Sequence, residues 1–195
     1  MKTIVDGTII KKYEVPIDMI DELNKEYEKN KKNLLSDGER LAGRLDTELS
    51  IMEFLSKLEI FNKINFFIND YMMTLNNFSI LDEPPMKTII KSCWINDMVE
   101  GEYNPVHVHN GPTNDGWSCV LFLKVPEFIN DAKHKHKFHD GQLAFLGFDR
   151  KVIWQTPEVG DFYLFQANQP HTVYPFKTKT KGEIRRSMSF NLVRE

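Results

Sequence analysis

His107-Val108-His109 sets two imidazoles at positions i and i+2. On a β-strand this spacing puts both rings on one face with Val108 turned away. Two imidazoles on one face can converge on a single Zn, Cu, Fe or Ni ion. A third histidine, His171, opens the segment His171-Thr172-Val173-Tyr174-Pro175, where a closed barrel can return it beside the pair. The other three, His134, His136 and His139, sit among lysines in residues 131–140, a tract with no apolar face. Lysines repel a cation, so that tract reads as an exposed loop and contributes no metal ligand.

The last segment, residues 184–192, carries a second chemical signal. Alternation places Ile184, Met188, Phe190 and Leu192 on one face and Arg185, Ser187, Ser189 and Asn191 on the other. If the polar face lines a barrel interior, Arg185 and Ser187 point into it together. A guanidinium fork clamps a carboxylate, and the hydroxyl adds a donor. A buried arginine without an anion is costly, so interior placement predicts an acidic ligand.

These residues need a scaffold. The first 80 or so residues show helical texture: Ile17, Ile20, Leu23 and Tyr27 follow Pro16 at helical spacing, and Ser50-Ile51-Met52-Glu53 reads as a capping box. Ile51, Phe54, Leu58, Phe61, Ile64, Ile68, Tyr71 and Leu75 then form one long apolar stripe, predicting a helix packed outside a sheet. Residues 3–15 read as one strand and 29–43 as a loop. From residue 86 the pattern predicts strands at 87–96, 105–109, 117–125, 142–148, 151–156, 161–165, 171–175 and 184–193. Short strands at this spacing indicate a sandwich or small barrel rather than a βαβ sheet.

The 195-residue chain is long enough to bury a core without a disulfide or structural metal. Its 14 Phe, 6 Tyr and 3 Trp exclude global disorder, and its net charge of −3 argues against a general nucleic-acid or basic membrane-surface binder. Cys93 and Cys119 read as buried free thiols of a reducing compartment. No apolar leader opens the chain and no run approaches the ~18 residues of a membrane span, so the expectation is a soluble cytoplasmic protein.

The ordered set of Asn104-Pro105-Val106-His107-Val108-His109, Ser118-Cys119-Val120-Leu121-Phe122-Leu123, the Pro-x-x-Gly-Asp run in residues 157–165, His171-Thr172-Val173-Tyr174-Pro175 and Arg185-Arg186-Ser187-Met188-Ser189-Phe190-Asn191 resembles the iron(II)- and 2-oxoglutarate-dependent oxygenases. It is similar in particular to a small group found in phage and bacterial genomes. The resemblance implies a mainly β protein with flanking α-helices. Residues 86–195 would form a double-stranded β-helix, a jelly-roll or cupin-like barrel, and residues 1–85 a strand and supporting helices on it, in one compact domain. It also implies that His107 and His171 hold Fe(II) and that Arg185 and Ser187 hold the distal carboxylate of 2-oxoglutarate. The cosubstrate would be decarboxylated to succinate as an unidentified substrate (protein side chain, nucleobase or small metabolite) is hydroxylated.

One position departs from the pattern. The superfamily has His-x-Asp or His-x-Glu where this chain has His109. A three-histidine iron site is expected, with Asp115 in the loop 110–116 as the other candidate for the third ligand. Phe162, Tyr163, Phe165 and Tyr174 are candidate wall residues, and Trp94, Tyr103 and Trp117 candidate mouth residues. Two other readings compete. One is a cupin-type three-His metalloenzyme, which Gly101 ahead of the His-x-His pair suggests but which lacks its expected glutamate. The other is a non-enzymatic β-sandwich binding or virion-associated module.

Overall fold

The strand alternation read from residue 86 onward organises the molecule. The computed structural model describes residues 2–5, 8–55, 60–77, 87–109, 116–129, 139–147 and 151–195. Its elements are β1 (Lys2–Val5), β2 (Thr8–Glu14), α1 (Ile17–Asn30), β3 (Glu48–Ser50), α2 (Met52–Leu55), α3 (Ile60–Asn76), β4 (Thr88–Met98), β5 (Asn104–His107), β6 (Trp117–Lys124), β7 (Leu143–Leu146), β8 (Val152–Gln155), β9 (Asp161–Gln166), β10 (His171–Val173) and β11 (Arg185–Arg194). All strand pairings are antiparallel. The large sheet runs β1-β2-β9-β6-β11-β4-β3 and the small sheet β5-β10-β7-β8. This is the double-stranded β-helix.

Period-two alternation divides the large sheet into two environments. From β11, Met188, Phe190 and Leu192 join Cys93, Ile95, Cys119, Leu121 and Leu123 against the helices. Helix α1 supplies Met19, Ile20, Leu23 and Tyr27 to that layer, and α3 supplies Ile60, Ile64, Ile68, Tyr71 and Met72. Each fully buried aliphatic side chain contributes roughly 1.5–3 kcal/mol. The opposite face carries Met98, Val120 and Phe122 into a second core between the sheets, with Leu143, Phe145 and Phe165.

Polar contacts tie the helices to the sheet. Tyr71 Oη donates to the Ile9 carbonyl at 2.8 Å, and Lys11 Nζ lies 2.5 Å from Asp70 Oδ2. Arg186 is completely buried and donates from Nε and Nη2 to both oxygens of Asp97, at 2.5 and 2.9 Å. It also reaches Asn24 and Glu28 of α1 and lies over the Tyr27 ring. Burial alone would raise the Asp97 carboxyl, but hydrogen bonds from Arg186 and Lys31 outweigh it and hold the group below the usual carboxylate range. Gly160, at φ 92°, meets β2 closely: its carbonyl accepts from the Val15 N–H at 2.8 Å, and a Cβ there would lie 2.7 Å from the Val15 oxygen.

Several local expectations change. The single strand read over 3–15 is a pair, β1 against β2, with Val5 opposite Thr8. The sequence carries Asp6-Gly7 between them, a hairpin signal. The loop read over 29–43 contains the end of α1 and two 3₁₀ turns, Lys31–Asn33 and Gly38–Arg40. Ser50 ends strand β3 and its N–H bonds to the Leu35 carbonyl, so that N–H is taken and does not receive the reciprocal bond of a capping box. Trp117 packs in the helix-side core, not at a mouth. Cys93 and Cys119 are free, buried thiols, as expected. No described helix is long and apolar enough to cross a membrane.

Candidate metal and cosubstrate site

Strand pairing brings the three histidines together. β5 is an edge strand of the small sheet, where Pro105 costs no ladder hydrogen bond. Its partner β10 sets His171 directly opposite His107. β5 ends at His107, and the next two residues return His109 to the same side, held by its N–H to the Ala167 carbonyl at 2.8 Å. One ring nitrogen from each of His107, His109 and His171 lies within 4.8 Å of the others. Among the described residues this is the one cluster of three potential ligands. Asp115 lies outside the described residues, as do His134 and His136. His139 stacks on Trp154 at 3.7 Å, apart from the cluster.

The rings are oriented for coordination. A carbonyl oxygen only accepts, so His107 Nδ1 donates to Pro105 at 2.7 Å and His171 Nδ1 donates to Gln169 at 2.9 Å. In the neutral ring each such bond leaves Nε2 with a lone pair, the arrangement typical of a metal-bound imidazole. His109 Nε2 lies 3.2 Å from His171 Nε2, so a proton or a cation between them satisfies both. Burial is the main cause lowering all three pKa values. His171 falls well below its usual value and His109 drops to about 3, with the neighbouring imidazoles adding to the effect. The cluster is therefore neutral at pH 7, the protonation state that ligates a metal. Phe165 packs against His171 and Trp94 stacks against His109, which restricts ring rotation.

The cluster opens into a cavity of about 280 Å3 between the sheets, bordered also by Trp94, Asn96, Leu143, Phe165, Ser187, Ser189 and Asn191. Ser187, from the polar face of β11, thus lines the same cavity as the histidines. Arg185 lies two residues along that face and is 1% exposed. Its Nη1 approaches Met98 Sδ at 3.1 Å and its guanidinium carbon sits 4.7 Å above the Phe122 ring. Its Nε and Nη2 have no hydrogen-bond partner, and burial pushes its pKa down to about 9. Nε and Nη2 form one edge of the fork, the same edge with which Arg186 grips Asp97. A buried guanidinium edge without a partner fits a carboxylate ligand. Arg186 points to the opposite face, as alternation requires.

Not every aromatic candidate reaches the cavity. Phe165 and Trp94 line it, Tyr163 belongs to the inter-sheet core, and Phe162 faces the helices. Tyr103 is 40% exposed and bridges to Arg44. Tyr174 stands edge-on to Trp154. Sequence reasoning missed Glu48 and Asn96. Both are 3% exposed, both line the cavity, and both keep an oxygen without a partner. They lie on one row across three strands, with Glu48 opposite Asn96 and Asn96 opposite Ser187. Asn96 ends the strand predicted over 87–96, where its alternation with Ile95 was the available signal; β3 is too short to give one for Glu48.

Residues 92–191, just over half the chain and spanning β4 to β11, match the family described as "Putative 2OG-Fe(II) oxygenase". No curated protein matches the chain. Solved structures share the fold over almost its full length. A Pseudomonas putida prolyl-4-hydroxylase aligns with a TM-score of 0.63 at 16% identity, covering 95% of this chain and 92% of its own. The viral collagen prolyl hydroxylase of Paramecium bursaria Chlorella virus-1, solved with 2-oxoglutarate, gives 0.63 at 15%, covering 97% and 98%. The Trichoplax adhaerens prolyl hydroxylase, in complex with a hypoxia inducible factor peptide fragment, gives 0.63 at 16%, covering 96% and 84%. The match from β4 to β11, over a cavity that holds three neutral imidazoles, places this chain in the 2-oxoglutarate- and Fe(II)-dependent oxygenase family, with Fe(II) and 2-oxoglutarate as its cofactors.

Proposed function

We propose that the protein hydroxylates a side chain of a polypeptide, with Fe(II) held by His107, His109 and His171 and the distal carboxylate of 2-oxoglutarate held by Arg185 and Ser187. The observation that carries this reading is the pairing, on one barrel interior, of three converging imidazole nitrogens with a buried guanidinium edge that lacks a partner. Polypeptide substrates are suggested by the solved prolyl hydroxylases that share the fold. Residues 86–195 act as the catalytic core and residues 1–85 as its support.

The iron and cosubstrate together supply oxidation of a C–H bond by dioxygen, coupled to decarboxylation of 2-oxoglutarate to succinate. The chain supplies position and environment. Pro105 and Gln169 fix the His107 and His171 tautomers and so aim Nε2 at the metal. Trp94 and Phe165 shield the cluster from water. Arg185 neutralises the far end of a dianion in a region that otherwise offers it apolar walls, and Ser187 adds a neutral donor. Three neutral ligands leave the metal one unit more positive than a two-histidine, one-carboxylate set would.

Anaerobic titration tests the assignment. Fe(II) followed by 2-oxoglutarate should develop the weak visible charge-transfer band of a chelated keto acid at one equivalent. Admission of air should then yield succinate. No band with metal bound would overturn the cosubstrate assignment, and no stoichiometric metal would overturn the histidine assignment. The band also separates this reading from a cupin-type metalloenzyme, which has no need of Arg185.

A further inference from the structure

Each imidazole of the cluster has a second ring nitrogen, remote from the metal position, that must also be satisfied. For His107 and His171 it is Nδ1, and the backbone carbonyls of Pro105 and Gln169 accept its proton. His109 likewise turns Nε2 to the cluster, 3.2 Å from His171 Nε2, so its remote nitrogen is Nδ1. Among the described residues no backbone carbonyl accepts from that nitrogen. A neutral His109 that ligates through Nε2 carries its proton on Nδ1, and a ring N–H taken out of water without an acceptor is costly. Of the three rings, His109 is the one whose tautomer no carbonyl fixes.

Asn191 carries the complementary deficit. It lies on the polar face of β11 and borders the same cavity as His109. Its Nδ2 donates to Ser92 Oγ at 3.2 Å, across the register pair that joins β11 to β4. That contact ties one end of a planar amide to the neighbouring strand. The other end, Oδ1, is buried and has no hydrogen-bond partner. The strand rows bring the two deficits together: Ser189, next to Asn191 on this face, stands opposite Trp94, whose ring stacks against His109. The amide is also near enough to act on the imidazole. Burial and His107 lower the His109 pKa, and Asn191 opposes them. A donor would favour the neutral ring, so it is the amide oxygen that faces it. The pair is not closed as a hydrogen bond here; fixing Nε2 on a metal sets the proton on Nδ1 and gives Oδ1 its donor.

We propose that Asn191 is the positioning residue for His109: with metal bound, Asn191 Oδ1 accepts the Nδ1 proton and holds the ring with Nε2 toward the ion. The inference rests on reading the three histidines as the metal site. It gives Asn191 the part that the Pro105 and Gln169 carbonyls have for the other two ligands. An acceptor on the remote nitrogen orients an imidazole and makes it a stronger donor to the metal. That counts for more in a set of three neutral ligands, which has no carboxylate to offset the charge of the ion. Because this acceptor is a side chain and not a backbone carbonyl, a single substitution can remove it.

Co(II) is the probe. It stands next to Fe(II) in affinity for nitrogen ligands, and its unpaired electrons move the ring N–H protons of bound histidines far outside the ordinary proton NMR spectrum. The wild-type protein should bind one equivalent and show three such exchangeable signals, one per ligand. Asn191→Leu keeps the volume and removes the acceptor. It should raise the Co(II) Kd by about ten- to a hundredfold, and one of the three signals should be displaced or lost to exchange while the other two stay in place. Asn191→Ser, smaller and too short to reach the ring, is the second variant if leucine does not fold, and the same signal should change. Ser118 stands opposite Asn191 on β6 and has a buried hydroxyl that is also unpartnered, so Ser118→Ala is the control and should leave the Kd within about threefold. A merely structural Asn191 would lower Tm and leave the Kd and all three signals as in wild type, which would overturn the proposal and spare the metal site. Displacement of all three signals together, or an equal loss of affinity in Ser118→Ala, would also overturn it. If the wild-type protein binds no stoichiometric Co(II) or shows fewer than three signals, the three-histidine reading itself falls, and the inference with it.

Discussion

Replacing Arg185 by methionine should stabilise the ligand-free protein and abolish its response to 2-oxoglutarate. Arg185 is 1% exposed, has two unpartnered nitrogens, and is compensated only by a sulfur contact and an aromatic face. Burial brings its pKa from 12.5 to about 9, which corresponds to a disfavoured charge of the order of 5 kcal/mol. Methionine has a similar length, fills the space over Phe122 and removes the charge. Substitutions of buried ionic groups by packed apolar ones have gained about 1–4 kcal/mol. At roughly 2–4 °C per kcal/mol for a chain of this size, Tm should rise by about 2–16 °C. The cost falls on binding. A hydrogen bond to a charged group is worth roughly 1.5–3 kcal/mol, so the 2-oxoglutarate Kd should rise at least about ten- to a hundred-and-fiftyfold. The wild-type protein, in contrast, should gain about 2.7 kcal/mol of stability at a 2-oxoglutarate concentration a hundred times Kd. Differential scanning calorimetry of both proteins, loaded with Fe(II) under nitrogen and with or without 2-oxoglutarate, gives both numbers. A methionine variant that is less stable than wild type and still shifts with 2-oxoglutarate would refute the reasoning, because Arg185 would then be a structural residue.

The remaining predictions concern the metal, the helix–sheet contact and pH. His107→Ala and His171→Ala should each abolish stoichiometric iron by metal analysis with an unchanged circular dichroism spectrum. His109→Ala should do the same while Asp115→Ala retains iron, and the reverse result would move the third ligand to the loop. Arg186→Met should cost up to about 3 kcal/mol in urea unfolding, because it leaves the buried Asp97 carboxylate with Lys31 as its remaining cationic partner; a neutral effect would mean that the cluster contributes nothing net. The Asp97 pKa is depressed on folding, so its stabilisation is complete above about pH 4 and is lost as pH falls through the lower folded value. Asp97→Asn should therefore flatten the stability curve below pH 4. In the metal-free protein the three histidines act from a different window: the unfolded chain binds protons below about pH 6.5 that the buried rings refuse. Stability should then fall with pH below that point, by up to about 1.4 kcal/mol per pH unit for each proton, and bound metal should steepen the fall.

How far the sequence reveals this site depends on whether a residue's face follows from its own segment. In β11 it does: alternation along a long strand separates Met188, Phe190 and Leu192 from Ser187, Ser189 and Asn191, and separates Arg185 from Arg186. The meeting of His107 with His171 was legible only as a topological possibility, because it depends on β5 and β10 being neighbours. That adjacency is encoded by the whole barrel and by no local pattern. Arg186 shows the converse limit. Its face was readable, but its environment was not, since Asn24 and Glu28 lie on a helix some 160 residues earlier in the chain. Glu48 lay beyond reach for a stronger reason. β3 has three residues, too few to show a period, and it exists because β4 offers an edge on which Asn96 meets Glu48. A strand made by its partner leaves no hydrophobic signature of its own, yet it can deliver a charged side chain to the interior. The three-histidine cluster could be read from one strand and one distant residue; the row of Glu48, Asn96 and Ser187 along the cavity could be read only from the assembled sheet.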